Sequence, residues 1–364
     1  MFIIIVSLST YFYLSSASGD RTHIEDKLST NKEFYEHWMQ LISLQADQLE
    51  QQNQDYPLSL ISLKSCTPIL MTNSEDTANS LRPSSISIYA DIGHMSFYCK
   101  SNVTLLRAGI LDSCDHQSSS MNFPSLNKML RIFNPDLIVV DSNKRDDSLV
   151  DQARQISSSV WKIEGYENDG QASETRQTAV EILDAVEEFH KLLPQKTFIV
   201  VIRTSGSGIW SDANRSHKVL AHTVTSVKAC KEILSLWKSH SHYNSISVWD
   251  QMEAIVRKNF QKPNFTVEVF PLLRQSTLSD LLDEMDFSVL GYDCAHFSER
   301  GLSLLHTAIW NSFFTKNNER LREYRPLASP LLCPDFRCPF LRTATNSEFC
   351  IWNPKKVVEK KTGF

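Results

Sequence analysis

The chain has 364 residues, 41% hydrophobic and 22% charged, the composition of a globular protein with a substantial core rather than of a disordered or fibrous chain. Its 37 Lys plus Arg against 42 Asp plus Glu give a net charge of −5, so no basic excess marks a nucleic-acid surface. Only 10 residues are glycine, which argues against a Gly-rich phosphate cradle.

Residues 1–18, MFIIIVSLSTYFYLSSAS, form a short apolar run that ends in small residues. That order is the pattern of a signal peptide cut near Ala17, although no positive charge precedes the run. A membrane anchor needs about 18–20 apolar residues, and this stretch is shorter. The eight cysteines, Cys66, Cys99, Cys114, Cys230, Cys294, Cys333, Cys338 and Cys350, include no C-x-x-C pair. An even number with that spacing favours disulfides over zinc in an exported chain. N-glycosylation sequons at Asn102, Asn214 and Asn264 agree with export. The sequence therefore predicts a secreted, extracellular glycoprotein with no metal and no cofactor.

Residues 19–80 are predicted as a helical extension and connection. Thr30-Asn-Lys-Glu33 reads as a capping box, and Phe34, Trp38, Leu41, Ile42, Ala46 and Leu49 recur at helical spacing. Thr72 to Ser85 is rich in Ser, Asn and Thr and reads as an exposed connection. Strand and helix then alternate. Ile86, Ile88, Ala90 and Ile92 share one face of a strand, and helix is predicted for 123–133, strand for 135–141, helix for 148–160 and 174–193. Thr197 to Ile202 is a continuous apolar run, as expected of a strand buried on both faces. Helix follows at 217–237, strand at 265–269 ending at Pro271, strand again at 286–290, and a last long helix at 298–314. This alternation over 81–325 predicts an α/β fold with a parallel sheet covered on both faces, followed by a Cys-containing tail, 326–364. In such folds ligands sit at the carboxyl ends of the strands, so chemistry belongs to the loops after Ile92, Val140, Ile202 and Leu290.

The loop after Leu290 carries the most informative motif: Gly291-Tyr-Asp293-Cys-Ala-His296-Phe-Ser-Glu-Arg300-Gly301. An Asp three residues before a His can orient one imidazole nitrogen and leave the other free as a base. The bland alternative is a helix-capping Asp beside an incidental His. Two other signals are weaker. Gly206-Ser-Gly208 lacks a third glycine, since position 211 is Ser211, and reads as a turn; His240-Ser-His242 has no carboxylates nearby and reads as a solvated helix end.

Asp293-Cys-x-His296-Phe-Ser-x-Arg-Gly, followed by Ala308-Ile-Trp-Asn311, closely resembles the last block of the phospholipase B family, lipid-cleaving members of the SGNH (GDSL) hydrolases. Other stretches resemble the same family in the same order: Leu81-Arg-Pro-Ser-Ser-Ile86, Phe133-Asn-Pro135, Gln152-Ala-Arg154, Phe265-Thr-Val with Pro271, Cys333-Pro334, Pro339-Phe-Leu-Arg-Thr343 and Asn346-Ser347. The resemblance covers about 66–347. It implies a three-layer α/β/α sandwich that cleaves carboxylic esters with a Ser nucleophile in a G-D-S-L block, oxyanion donors from a Gly and an Asn, and Asp293 and His296 completing the triad.

The sequence departs from that pattern at its centre. Where G-D-S is expected it reads Gly93-His94-Met95-Ser96, and a thioether has no proton to lose and cannot form an acyl-enzyme. Ser96 stands one position on and serves only if the turn holds an extra residue. The oxyanion Gly of the second block falls on Asn143 or Lys144. The third block is shortened, with Asn168 in place of its Asn. The oxyanion donors that remain are Gly93 and Asn168. Three readings follow: a non-catalytic relative that binds phospholipid or another lipid ester, with peripheral contact to membrane surfaces; an active lipid esterase using Ser96; and hydrolysis by water with His296 as base. The resemblance gives no nucleic-acid partner and suggests a monomer.

Overall fold

The computed structural model describes residues 2–8, 26–52, 57–66, 77–93, 97–99, 114–116, 124–141, 148–163, 178–193, 196–204, 221–236, 246–273, 275–276, 285–292, 294, 297–326 and 329–350. In chain order the elements are β1 (Phe2–Leu8), α1 (Lys32–Gln52), α2 (Pro57–Lys64), β2 (Ile88–Gly93), β3 (Phe97–Cys99), β4 (Cys114–His116), α3 (Leu126–Phe133) and β5 (Ile138–Asp141). Then come α4 (Leu149–Ile163), α5 (Thr178–Leu192), β6 (Thr197–Thr204), α6 (Ala221–Leu236), α7 (Ile246–Asn259), β7 (Phe265–Leu273), β8 (Gln275–Ser276), α8 (Glu299–Phe314) and β9 (Glu323–Tyr324).

Five strands form one parallel sheet in the order β5-β2-β1-β6-β7. Side chains alternate between its two faces because the strand period is two. Ile3, Tyr89, Phe198, Val200, Ile202, Phe270 and Leu272 point into one apolar layer with α1, α3, α6 and α8. Ile4, Ile88, Ala90, Ile92, Ile199, Val201, Val267 and Val269 point into the other, with α4, α5 and α7. The fold is α/β, and helices on both faces of a parallel sheet are the three layers the alternation predicted. Helix α1 is part of this packing: Phe34, Trp38, Leu41 and Ile42 are buried. Full burial of such side chains stabilises by about 1.5–3 kcal/mol each.

Several elements differ from the sequence expectation, each for a local reason. Asn31 caps α1, accepting from Phe34 N at 3.0 Å, whereas the hydroxyl of Thr30 bonds back to Asp26 O at 2.6 Å. The described part of the 72–85 connection is mostly covered: Ala78, Leu81, Arg82 and Pro83 are buried, in and between two 3-10 turns, and Ser84 is exposed. Ile86 precedes β2 and joins the opposite layer from Ile88. Strand β7 runs through Pro271 to Leu273, past a register shift at Ile202/Thr204. It is an edge strand, where a residue without an N–H is tolerated. Residues 286–290 are not a strand: Phe287–Val289 form a 3-10 turn capped by Asp286. Helix α7 is an addition to the expected elements; it buries Met252 and Val256, four residues apart.

The apolar run that reads as a leader stands here as β1, the central strand; residues 9–18 lie outside the described set. Among the described residues three disulfides are present, Cys66–Cys333, Cys230–Cys294 and Cys338–Cys350, and no described cysteine is free. Cys99 stands opposite Cys114 across the antiparallel β3–β4 pair. The tail folds back on the core, with Leu341 N donating to Leu81 O and Arg342 N to Phe313 O, both at 2.7 Å. Asn264 is exposed in the turn before β7, while Thr266 of its sequon is fully buried and donates to Lys262 O at 3.1 Å. Asn102 and Asn214 lie outside the described residues. No helix among the described residues is long and apolar enough to cross a membrane.

Candidate active site

Because the sheet is parallel, its carboxyl ends share one edge: Gly93 closes β2, Asp141 β5, Thr204 β6 and Leu273 β7. Gly93, the expected oxyanion donor, therefore lies at the edge where ligands bind in such folds, in register with Ser7 of β1. His94, Met95, Ser96, Asn143, Lys144, Asn168, Asp293 and His296 lie outside the described residues. The structure describes what holds the chain on either side of them.

The flanks of Asp293 and His296 are anchored from four directions. From α1, Gln45 points its amide nitrogen at the carbonyls of Phe287, Leu290 and Gly291, at 3.2–3.3 Å, and is itself 1% exposed. One turn on, Gln48 donates to Met285 O at 2.6 Å and accepts from Phe287 N at 2.7 Å. From α6, Cys230 is bonded to Cys294, the residue next to Asp293. Cys294 holds φ of 57°, the left-handed region that non-glycine residues seldom adopt, and its N–H donates to Gly291 O at 3.1 Å.

The third anchor is the 3-10 turn itself. Asp286 accepts from Ser288 N at 3.0 Å and from Ser288 Oγ at 2.5 Å, and its other oxygen accepts from Arg300 Nη1. Arg300, 2% exposed, also reaches Ser288 Oγ at 2.7 Å. The fourth is the start of α8. Ser298 is its N-cap, accepting from Gly301 N at 3.1 Å and donating to Ser288 O at 2.5 Å. Gly301 is required here, since a Cβ would overlap the Val289 carbonyl and press on the Phe297 ring. An antiparallel bridge between Leu290 and Phe297 closes the base of the loop.

At the β2 side, Tyr89 and Asp91 share one face of the strand, and Tyr89 Oη donates to Asp91 Oδ2 at 2.8 Å, both buried. Asp91 is the register partner of Asp141, the last residue of β5. Strand β3, which follows residues 94–96 in the chain, packs against α8. Farther along α8, His306 is fully buried and accepts from Leu126 N at 3.3 Å; burial alone pushes its pKa down to about 3. A neutral, enclosed imidazole of this kind joins two helices and is no base for catalysis. Among the described residues no three His, Cys, Asp or Glu side chains are placed to hold a metal ion.

The 293–301 motif is visible in the sequence, but its supports are not. Gln45 and Gln48 are more than 230 residues away in the chain. Their spacing from buried Leu41 and Ile42 puts them on the inner side of α1, and that is the one signal that could find them. Tyr89 and Asp91 are legible as an i, i+2 pair on a strand.

Phospholipase B1, membrane-associated, of Homo sapiens is 30% identical to this chain over 120 residues, which is 30% of this chain and 7% of that protein. The chain thus spans less than a tenth of the length of the curated relative it matches. No family model and no solved structure matches the chain.

Proposed function

We propose that this chain is a secreted, disulfide-bonded relative of the phospholipase B group within the SGNH hydrolases. It retains a lipid-ester site and binds its ligand rather than cleaving it. The observation that carries the reading is the density of anchors around the Asp293–His296 segment. Two glutamines, a disulfide, a buried Arg–Asp pair and a capped helix converge on one loop at the end of the fold. Such support is what a preorganised carboxylate–imidazole pair requires. The packing of β3, which follows residues 94–96 in the chain, against α8 supports a site shared by the two segments.

The missing part is the nucleophile. Removing the Ser of a serine-protease triad costs about 10⁶ in kcat, and one absent oxyanion donor costs a further ~2.7–4 kcal/mol. With Met95 at the nucleophile position and Asn143 or Lys144 at the oxyanion glycine, turnover falls to background while an apolar ester pocket still binds.

The test is covalent labelling with a fluorophosphonate ester, paired with binding to lysophospholipid micelles. Wild-type protein is expected to bind micelles and remain unlabelled. Met95→Ser with His94→Asp restores slow labelling, about 10²–10³-fold below a complete site because one oxyanion donor is still missing. Stoichiometric wild-type labelling that is abolished by Ser96→Ala would overturn this reading in favour of an active lipid esterase.

A further inference from the structure

The most unexpected feature of the sheet is its central strand. β1 pairs with β2 from Phe2↔Ile88 to Ser7↔Gly93, and with β6 from Phe2↔Thr197 to Leu8↔Arg203. β2 and β6 do not pair with each other, so without β1 the sheet falls into two halves, β5-β2 and β6-β7. Neighbouring strands lie about 4.8 Å apart, so β1 fills a slot one strand wide, about 9–10 Å between β2 and β6. Each half would then present an unpaired row of N–H and C=O groups in the middle of the core.

Helices α4 and α5 follow each other in the chain and pack together on one face. A strand lying between them in sequence would take the position beside β2 that β1 holds. The connecting residues, 164–177, read EGYENDGQASETRQ. That stretch is polar and carries no apolar run. A parallel strand covered on both faces needs a near-continuous one. Phe2–Leu8, FIIIVSL, meets the requirement, and Ile3 and Ile4 are 0% and 1% exposed, one in each apolar layer.

We infer that the slot between β2 and β6 is a strand-acceptor groove and that Phe2–Leu8 is its donor strand, retained in the folded protein. The segment that reads as a leader is then a structural part that is not cut off near Ala17, and export of the chain has to leave residues 2–8 in place. Its main-chain bonds supply affinity and its alternate side chains fix register, as in other cases of β-strand addition. Any processing that removes the segment before folding leaves the groove empty. This inference rests on the sheet alone and stands apart from the lipid reading.

The experiment inserts a site-specific protease recognition sequence after residue 8 of the full chain, between the strand and α1, and cleaves the folded protein. The N-terminal fragment is expected to co-elute with the rest on gel filtration, with unchanged circular dichroism, and to separate only in denaturant. Refolding without the fragment is expected to give aggregated or protease-sensitive protein; adding a synthetic peptide of residues 1–8 restores protease resistance. Ile4→Asp, which places a charge in the buried layer, should lower fragment retention at least tenfold, and Ile4→Val should not. The inference is overturned if the cut fragment is lost while the fold persists. Secreted protein that starts beyond residue 8 and unfolds at the same denaturant concentration as the uncut chain overturns it equally. Micelle binding is not the readout, so a failure here does not touch the proposed function.

Discussion

Two buried arginine–carboxylate pairs hold two regions of this molecule, and they are built differently. Arg320 uses every nitrogen of its guanidinium. Nη1 donates to Glu268 Oε2 at 3.0 Å, Nε to Ser312 O at 3.2 Å and Nη2 to Arg342 O at 2.6 Å, and the group lies 4.2 Å from the centre of the Phe270 ring. Glu268 Oε1 also accepts from Ala344 N at 2.6 Å. This pair joins strand β7, the end of α8 and the tail. Burial pushes the Arg320 pKa down and Glu268 pulls it back up. Arg300 is as buried, but its Nε has no partner among the described residues, and its bonds to Asp286 and Ser288 stay within the 286–300 block. One pair staples distant parts of the chain; the other shapes a single loop.

That difference makes a prediction. Removing one partner of a buried pair leaves an uncompensated charge, at a cost of about 3–5 kcal/mol. Glu268→Gln should reach that range in urea unfolding, because the charge is lost and the amide NH2 must face either Arg320 Nη1 or Ala344 N in a fully enclosed place. Asp286→Asn should cost less, about 1–3 kcal/mol, because the Asp286 side chain is 11% exposed against 4% for Glu268, so water can reach the altered group. An Asp286→Asn loss equal to or greater than that of Glu268→Gln would break the comparison.

Acid separates the regions further, because His306 sits on α8 between the two arginines. Its folded pKa, about 3, lies below the ordinary value of 6.5, so the unfolded state binds the proton first. The stability its neutral form supplies is present above pH 6.5 and is lost as pH falls from 6.5 toward 3. The slope approaches ~1.4 kcal/mol per pH unit, or roughly 2 kcal/mol between pH 6.5 and 5. His306→Gln should flatten the urea-midpoint curve over that interval; an unchanged slope would assign the acid sensitivity elsewhere.

Local chemistry is legible in the sequence and long-range chemistry is not. The Ser298 cap, Gly301 and the Asp293–His296 spacing all lie within one short motif and can be read in order. The 286–290 run resembles a strand because it is apolar. What makes it a 3-10 turn is the Asp286 carboxylate, which takes the Ser288 N–H and hydroxyl and so competes with a ladder. The N-terminal run shows the deeper limit. A seven-residue run with six apolar residues satisfies a leader and a doubly buried strand equally well, and only the pairing with β2 and β6 separates the two. Helix α7 escapes a periodicity reading because its 14 residues bury few apolar side chains, spaced one per turn, among polar ones.

The smallest predicted effect is the most local. Gln45 is one side chain on α1, yet its amide faces three carbonyls of the block that leads to Asp293. Gln45→Leu keeps the volume and the helix propensity and removes the donor. Buried carbonyls that lose a partner cost about 1–3 kcal/mol. Here the lower end is expected, because Gln48 still holds Met285 and Phe287. The loss should appear less in the global unfolding midpoint than in hydrogen exchange, where amides of 287–291 and 297–301 are expected to exchange about tenfold faster while those of β6 and β7 are unchanged. Glu268→Gln should give the opposite pattern, with exchange accelerated in the tail and β7. If Gln45→Leu instead accelerates exchange throughout the sheet, α1 is a global staple like Arg320 and the division between the two regions fails.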